Sequence, residues 1–576
     1  MSTLTTTDPR TGVSTDSGIS TTTTEAIAEY TRDALRAFSD MRRRSRAWRS
    51  GLLRALAAGL ERDRAALVDA AISETGLTEG RLNTELTRSA FQFRLFADAV
   101  DEGGYLEAII DHAAETPLGP GPDVRRMLVP IGPIAVFGSS NFPFAFSVAG
   151  GDTASALAAG NPVLIKAHGS HPVTSRISYE SLSTSAHAYG APEGTLAIVY
   201  GQQAGADLVA DPHIAAVGFT GSLHTGRILM DIIDQRERPI PFFGELSSVN
   251  PLIITPGAAR SRGEAIAHGL FASVTGSAGQ LCTKPGIAFI PADDEIIVPA
   301  FVAAANAADA QPLLNDRIRA SFGEIHHRLV ADGRARSLVT PSAGAEGFTL
   351  TPAVLQIDAT DLTEAATEEA FGPLVLVVRY RSLDEIRRAL RVIPDSLTAT
   401  IHSDPSETAL AAALTASVHD LVGRVVYNGY PTGVRVSWGM NHGGPWPATN
   451  TQHTSVGVTA IRRFLRPFAW QDAPAELLPV ELRDDDTSAI LEALARKGVT
   501  IDDTDEHGMT PLMHAAVLGN ERAAYVLIGK GADLDKRDHN NMTAAMHAAY
   551  VGKDGVLAQL EDAGAELSPG CRGPHH

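Results

Sequence analysis

Apolar residues set the first rhythm of the chain. Between Thr24 and Val100 they return close to every 3.6 positions, at Leu52, Leu53, Leu56, Leu60, Leu67 and Val68, with Arg-rich faces between. That period predicts amphipathic helices. The rhythm changes at Pro117-Leu118-Gly119-Pro120-Gly121-Pro122. Beyond it, short apolar runs alternate with Ala-rich helical stretches. The runs Ile134 to Phe137, Val163 to Ile165, Leu196 to Tyr200 and Ile214 to Phe219 read as buried strands, and Leu374 to Val378 as a later one. Strand and helix in alternation predict βαβ units, a parallel sheet and an α/β fold.

Ligands of such sheets bind beyond the carboxyl ends of the strands. Those ends carry Gly138-Ser139-Ser140-Asn141-Phe142-Pro143, Lys166-Ala167-His168-Gly169-Ser170 and Gly218-Phe219-Thr220-Gly221-Ser222. In the last, a Gly-containing turn opens a helix near Ser222, and helix N-terminal amides suit a phosphate. Lys166 at a strand end suits a ribose or phosphate, though taken alone it reads more readily as a surface lysine. Glu245 stands among apolar neighbours in Phe243-Gly244-Glu245-Leu246-Ser247-Ser248. It reads either as a solvated loop glutamate or as a base tuned by burial. A late loop, Tyr427 to Pro445, embeds aromatics and suits the lining of a pocket.

A different period governs the end of the chain. Leu494, Leu527 and Leu560 are 33 residues apart, as are Gly498, Gly531 and Gly564, Thr510 and Thr543, and His514 and His547. A fixed period of that length marks stacked helix pairs. Thr510-Pro511-Leu512 with Ala515-Ala516 resembles an ankyrin-repeat helix start. The histidine usual three places after the threonine is Met513 here and Met546 in the next repeat, with His514 and His547 one place later. Two repeats and a leading half, Thr487 to Lys497, make an all-α tail over 484–576.

Composition narrows the function. The chain has 576 residues, 44% hydrophobic and 20% charged, with a formal net charge of −19. Such acidity argues against nucleic acid and anionic membrane as partners. The first 24 residues are Ser/Thr-rich without an apolar core, so they are expected to be a disordered tail and no secretory signal. Two cysteines, Cys282 and Cys571, build no disulfide framework, and no CxxC offers a metal site. A reducing, cytoplasmic setting is expected.

Cys282 follows the small-residue run Gly276-Ser277-Ala278-Gly279, which lets a substrate approach the sulfur. Taken alone it reads more readily as a buried structural thiol. Asn141, Lys166, the Gly218 turn, Glu245, Cys282 and the Glu369–Phe371 pair nonetheless occur in an order that resembles the aldehyde dehydrogenase superfamily, over roughly Ala26 to Leu482. The α-ketoglutaric semialdehyde dehydrogenase branch is the most similar. That likeness is carried by Asp123-Val124-Arg125-Arg126-Met127, Val136 to Pro143, Phe146 to Leu157, Asn428 to Val434 and His442-Gly443-Gly444-Pro445-Trp446-Pro447-Ala448-Thr449.

The resemblance implies a Rossmann-like cofactor domain (25–243, with an oligomerisation segment near 111–129), a catalytic domain (244–430) and a return to the cofactor and oligomerisation region (431–483). It implies a homodimer or homotetramer joined partly through that segment and a strand near Ile461 to Phe464. It also implies NAD(P)-dependent oxidation of an aldehyde to an acid through a cysteine thiohemiacetal and thioester, with 2,5-dioxopentanoate as the leading substrate. In that chemistry Cys282 is the nucleophile, Asn141 the oxyanion donor and Glu245 the base. Lys166 and Glu369 hold riboses, Gly218, Gly221 and Ser222 the pyrophosphate, and Phe371 the nicotinamide. Gly169 stands where NAD-preferring relatives carry Glu, which admits NADP beside NAD, with His168, Ser170 or His171 near its 2′-phosphate. Phe142, Phe146, Arg435 and Trp438 are the substrate candidates, Arg435 for a carboxylate. Phe142, Phe146, Trp438 and Trp446 equally suit a longer or aromatic aldehyde, and the repeat tail a scaffold that binds a protein partner or a second copy. Ser247 and Ser248 replace the usual Gly-Gly, which predicts a changed backbone beside Glu245.

Overall fold

The computed structural model describes residues 3–331, 333–483 and 500–565. The chain divides into two compact units, Met1–Asp101 with Val129–Arg466, and Glu102–Leu128 with Pro467–His576.

In the first unit, four helices (Thr24–Met41, Arg46–Arg62, Arg64–Thr75, Glu79–Glu102) precede a five-stranded sheet. Its spatial order is Phe242–Glu245, Ala216–Thr220, Ile134–Phe137, Val163–Lys166, Leu196–Val199, and every pair is parallel. Glu245 ends the edge strand of this sheet, next to the boundary expected at 243/244.

A seven-stranded sheet follows, in the order Arg336–Val339, Ala353–Asp358, Leu374–Tyr380, Ile287–Pro291, Leu252–Ile254, Ser396–His402, Val422–Tyr427. Its pairs are parallel except the first. Its strands Leu252–Ile254, Ile287–Pro291 and Leu374–Tyr380 are fully buried and almost wholly apolar, because both faces are covered there. Ile253, Phe289, Leu376 and Val378 face one core, and Leu252, Ile254, Ile290 and Val377 the other.

The expected disordered tail is an antiparallel hairpin, Thr3–Thr7 with Ser14–Ser20. Thr is β-branched and favours strands, which outweighs the low hydrophobicity of the segment. Gly12 at φ +74° turns the chain, and Ile19 is buried. Thr6 Oγ1 donates to Glu74 Oε1 at 2.7 Å. Glu74 also accepts from the backbone N–H of Val173 (2.9 Å) and Thr174 (2.7 Å) and from Thr174 Oγ1 (2.7 Å). This carboxylate caps the helix Pro172–Tyr189, whose own cap residue His171 makes no side-chain cap bond.

The expected strand near Ile461 to Phe464 is also different. Val458–Phe464 is a 3₁₀ turn, and the strand is Leu465–Gln471. Ile461 and Phe464 are both fully buried and three apart, a spacing that a 3₁₀ turn puts on one face.

The second unit holds a sheet in the order Leu465–Gln471, Val124–Pro130, Ile109–Asp111, and a hairpin of Ala114–Thr116 with Gly119–Gly121. Its repeats contain the helices Pro511–Leu518, Glu521–Gly529, Ala544–Tyr550 and Asp554–Asp562 around an apolar core. Thr510 and Thr543 cap their helices through Met513 N and Met546 N. The displaced histidines have a repeated partner nine residues earlier: His514 Nε2 lies 2.9 Å from Asp505 Oδ2, and His547 Nε2 3.0 Å from Asp538 Oδ2. Each aspartate also accepts two backbone N–H groups of its own turn. Leu494, Gly498, the half repeat Thr487 to Lys497, and Cys571 lie outside the described residues.

Glu74→Ala strands several buried donors, each costing about 1–3 kcal/mol. Urea unfolding should show a loss of that order or more, and removal of residues 1–22 should lower the Tm as well. A Tm unchanged by the truncation would mean the hairpin contributes nothing to stability.

Candidate active site

The helix Pro256–Thr275 ends at Gly276, and the chain then runs through three left-handed residues: Ser277 and Ala278 at φ +53° and Gly279 at φ +68°. Left-handed backbone costs an ordinary residue about 1–2 kcal/mol. Local bonds offset it. Ala278 N donates to Gln311 Oε1 (3.1 Å), and Gln280 Oε1 accepts from Leu314 N (2.9 Å). A Cβ on Gly279 would lie 2.3 Å from Gly372 O, so the loop rests directly on the turn that follows Phe371. Lys284 fastens the two together. Its Nζ donates to the carbonyls of Ala370 (2.9 Å), Gly372 (3.0 Å) and Leu374 (3.0 Å). Burial brings this lysine down to about 8, against the attraction of Glu369.

Cys282 lies half-buried on that loop, among the described residues the one free cysteine. His442 Nε2 lies 3.5 Å from its Sγ and 3.1 Å from Glu245 Oε1. Ser455 Oγ donates to the other carboxylate oxygen, Oε2, at 2.6 Å. Burial pushes the Cys282 thiol well up, and the charge and hydrogen bond of Glu245 add to this. Burial would raise Glu245 too. The attraction of His442 and the hydrogen bonds from His442, Ser455 and Cys282 outweigh it and hold the carboxyl below its ordinary value. The resting pair is therefore a thiol beside a carboxylate, which can accept a proton from the thiol or from a water.

Asn141 reaches the same loop. Its Nδ2 donates to Gln280 O at 2.9 Å, two residues before the cysteine. An amide nitrogen carries two hydrogens, so this bond uses one. Arg81 Nη2 donates to Asn141 O at 2.8 Å and the Arg81 guanidinium lies 4.8 Å from the Phe142 ring. Phe142 and Phe146 meet edge to face at 5.2 Å, and Phe146 lies 6.3 Å from the His442 ring. Arg435 and Trp438 are both exposed on the late loop.

The parallel sheet brings the other predicted groups to one edge, the carboxyl ends of its strands. Lys166 Nζ has no hydrogen-bond or ion-pair partner among the described residues, and burial, then Arg317, lowers it to about 8. An ammonium so held is a donor without an acceptor, and it fits a ribose or phosphate. Burial first, then His171, Lys166 and Arg317, keep His168 well below its usual range. Its Nδ1 accepts from Ser170 N at 3.1 Å, so it is a neutral ring that brings no charge to a phosphate. His171 is packed, between Ser139 O (2.8 Å) and Ser175 Oγ (3.1 Å), and Ser170 Oγ accepts from Asn315 Nδ2 (2.9 Å). Ser222 caps the helix Leu223–Asp234 at Thr225 N, and Gly221 N donates to Glu245 O at 3.0 Å. Gly218 serves packing: a Cβ there would meet Asp152 Oδ2 at 2.9 Å. Phe371 is half-buried on the turn beside Glu369.

Ser247 and Ser248 keep φ negative, so the missing glycines leave no backbone strain, and the left-handed residue of this segment is Asn250 at φ +55°. The hydroxyls are used. Ser247 Oγ donates to Glu369 Oε2 at 2.6 Å, Ser248 N to the same oxygen at 3.1 Å, and Ser248 Oγ to Asn250 Oδ1 at 2.6 Å. Asn250 Nδ2 in turn donates to Cys282 O (2.8 Å) and Lys284 O (3.0 Å).

This cluster, on this sheet, can be compared with known proteins. The model of the aldehyde dehydrogenase family matches residues 2–446, and that of ankyrin repeats, in three copies, residues 482–569. The chain belongs to the aldehyde dehydrogenase family. Alpha-ketoglutaric semialdehyde dehydrogenase 2 of Azospirillum brasilense is 41% identical over 476 residues, 81% of this chain and 90% of that protein. Alpha-ketoglutaric semialdehyde dehydrogenase of Acinetobacter baylyi is 38% identical over 479 residues, 80% and 89%. The crystal structure of PnpE in complex with nicotinamide adenine dinucleotide superposes with a TM-score of 0.70 at 23% identity, over 84% of this chain and 96% of that one, and shares the fold. The repeat match spans the two copies and the leading half seen in the 33-residue period.

Among aldehyde dehydrogenases the coenzyme is a nicotinamide dinucleotide, and the unpartnered Lys166 ammonium and the Ser222 helix end are the groups here that suit it. Sequence reasoning missed His442, Ser455, Asn250 and Lys284. His442 was in view only as part of a matching motif. Nothing in its neighbours along the chain reveals that it stands 197 residues from its partner Glu245.

Replacing His442 by Phe removes a donor that favours the Glu245 carboxylate, so the Glu245 pKa rises. The carboxylate is then lost at a higher pH, and the acid limb of the kcat–pH profile should move upward, with kcat lower by about 10- to 100-fold at neutral pH. Ser455→Ala should move the limb the same way. An unmoved limb in both variants would remove Glu245 as the titrating base.

Proposed function

We propose that this aldehyde dehydrogenase oxidises 2,5-dioxopentanoate to 2-oxoglutarate, using NADP as well as NAD. The observation that carries the substrate is the likeness to two proteins of that activity along about nine-tenths of their length. The coenzyme reading rests on two features of the ribose end. Gly169 has open space where a Cβ would be, with no carboxylate to repel a 2′-phosphate, and Arg317 stands close enough to depress Lys166 and His168.

In this reading Cys282 Sγ bonds to the aldehyde carbon after its proton passes to Glu245, the carboxylate beside it, which releases that proton to solvent before the second step. The Asn141 Nδ2–H and the Cys282 N–H hold the oxygen that becomes negative, and donors in such places are worth about 3–4 kcal/mol. The nicotinamide, when bound, supplies the hydride acceptor. Glu245 then takes the proton of the water that opens the Cys282 thioester, releasing the acid and restoring the thiol. Lys166, Glu369 and Ser222 orient the coenzyme, with Gly221 in the turn, and Phe371 limits the nicotinamide face. Phe142 and Phe146 wall the aldehyde chain, and Trp438 lies on the late loop.

The nucleophile requires reducing surroundings, in keeping with a cytoplasmic homo-oligomer, and the ankyrin repeats suit a protein partner or a second copy. No helix among the described residues is long and apolar enough to cross a membrane.

Cys282→Ala should abolish turnover of 2,5-dioxopentanoate with either coenzyme, and residual turnover would remove the cysteine from the chemistry. Initial rates with wild type should show saturable use of both NADP and NAD. Arg317→Ala should raise the KM for NADP about tenfold while the KM for NAD stays within about twofold. Equal effects on both coenzymes would place the 2′-phosphate elsewhere.

A further inference from the structure

One charged side chain near the thiol has no partner. Arg88 lies on the helix Glu79–Glu102, with its guanidinium 5.2 Å from the Phe146 ring. Its Nε and Nη2 are buried and make no hydrogen bond. Burial works against the charge of this arginine. The charges that favour it come from Glu85, Cys282 and Glu245, which places it in the field of the nucleophile and the base. A buried cation whose donors are unmet is costly unless something supplies acceptors.

The neighbours do not supply them. Arg81, two turns earlier on the same helix face, takes Glu85 at 3.2 Å and Asn141 O at 2.8 Å. Glu85 Oε1 already accepts from Phe144 N (2.8 Å) and Ala145 N (3.0 Å). Arg424 also lies in the field of Cys282, but its two terminal nitrogens are bound to Gly433 O and Pro431 O, and Nε alone is unmet. Arg88 thus keeps two adjacent donors, Nε and Nη2, unmet. The Phe146 ring it lies against is 6.3 Å from the His442 ring, and His442 Nε2 is 3.5 Å from Sγ.

We propose that Arg88 receives the carboxylate of the substrate, its Nε–H and Nη2–H each donating to one carboxylate oxygen, and thereby selects short aldehydes that end in a carboxylate. Two parallel charge-assisted bonds are the geometry in which arginine recognises that group best. In 2,5-dioxopentanoate four C–C bonds of about 1.5 Å separate the aldehyde carbon from the carboxylate, a span of roughly 5 Å when extended. A neutral aldehyde gains nothing from the contact and leaves the guanidinium unmet. The inference rests on the proposed reading that the substrate is a carboxy-aldehyde.

The test compares kcat/KM of the full-length wild type, Arg88→Met and Arg88→Lys for 2,5-dioxopentanoate, succinic semialdehyde and pentanal. Arg88→Met should lose about 10²- to 10⁴-fold on the carboxylated aldehyde the wild type prefers, and stay within about threefold on pentanal. Arg88→Lys should fall between, since it keeps the charge and loses the fork. Turnover of pentanal doubles as the check that each variant is folded. Equal losses on all three aldehydes, or none on any, would overturn the assignment. If the wild type prefers succinic semialdehyde and Arg88→Met loses that preference, Arg88 stands and the 2,5-dioxopentanoate reading falls. A wild type without preference for either carboxylated aldehyde would overturn both.

Discussion

The side chain of Asn250 joins the three pieces of chain that surround Cys282. Its Nδ2 holds the carbonyls of Cys282 and Lys284, while its Oδ1 accepts from Ser248 Oγ and from the backbone and hydroxyl of Thr398. The Cys282 loop, the crossover that leaves Glu245 and the strand Ser396–His402 thus meet on one amide. Asn tolerates the left-handed backbone this requires better than most residues, which explains why the segment turns at residue 250 and leaves Ser247 and Ser248 unstrained. A buried amide with all its bonds made is a rigid joint. The distances between Cys282, His442 and Glu245 inherit that rigidity.

Around this joint, charge is arranged in layers. Cys282, Glu245 and Glu369 would repel one another if all were ionised, and each feels the next. The protein separates them by giving each carboxylate its own donors: His442 and Ser455 for Glu245, Ser247 and the Ser248 amide for Glu369. Glu245 comes out below its ordinary value, while burial leaves Glu369 above its own despite the serines and Lys284. Two glutamates about the same thiol therefore have opposite tendencies. The serines that replace two glycines change what holds Glu369, where the sequence suggested that they would disturb Glu245.

The legible part of this molecule was whatever depends on neighbours along the chain. Continuous apolar runs marked strands buried on both faces, and the 33-residue period marked the repeats. Motif order brought Cys282, Glu245 and Asn141 forward, and all three lie about one loop. What depends on folding was hidden. The Thr-rich start reads as disordered until Glu74, a buried carboxylate at the end of another helix, is there to bind it. A strand near Ile461 to Phe464 is implied by the family resemblance, but these residues form a 3₁₀ turn, to which their spacing of three belongs. The arginine chosen for a carboxylate, Arg435, came from a loop with aromatic neighbours and is exposed, while Arg88 sat unremarked in an amphipathic helix.

That last contrast has a physical reason. A helix with arginines at 81 and 88 presents both on one side, since seven residues make nearly two full turns. Read along the sequence they belong to a solvated face. Folding turns that face onto Phe142 and Phe146, and aromatic rings accept a guanidinium over their faces without meeting its N–H groups. Arg81 finds the carboxylate of Glu85 and a carbonyl; Arg88, one step nearer the thiol, finds only the ring. The same packing that satisfies the first arginine thus leaves the second half-buried, with Nε and Nη2 unmet in the field of Cys282 and Glu245, and this is the feature from which the proposal of an anion at Arg88 starts.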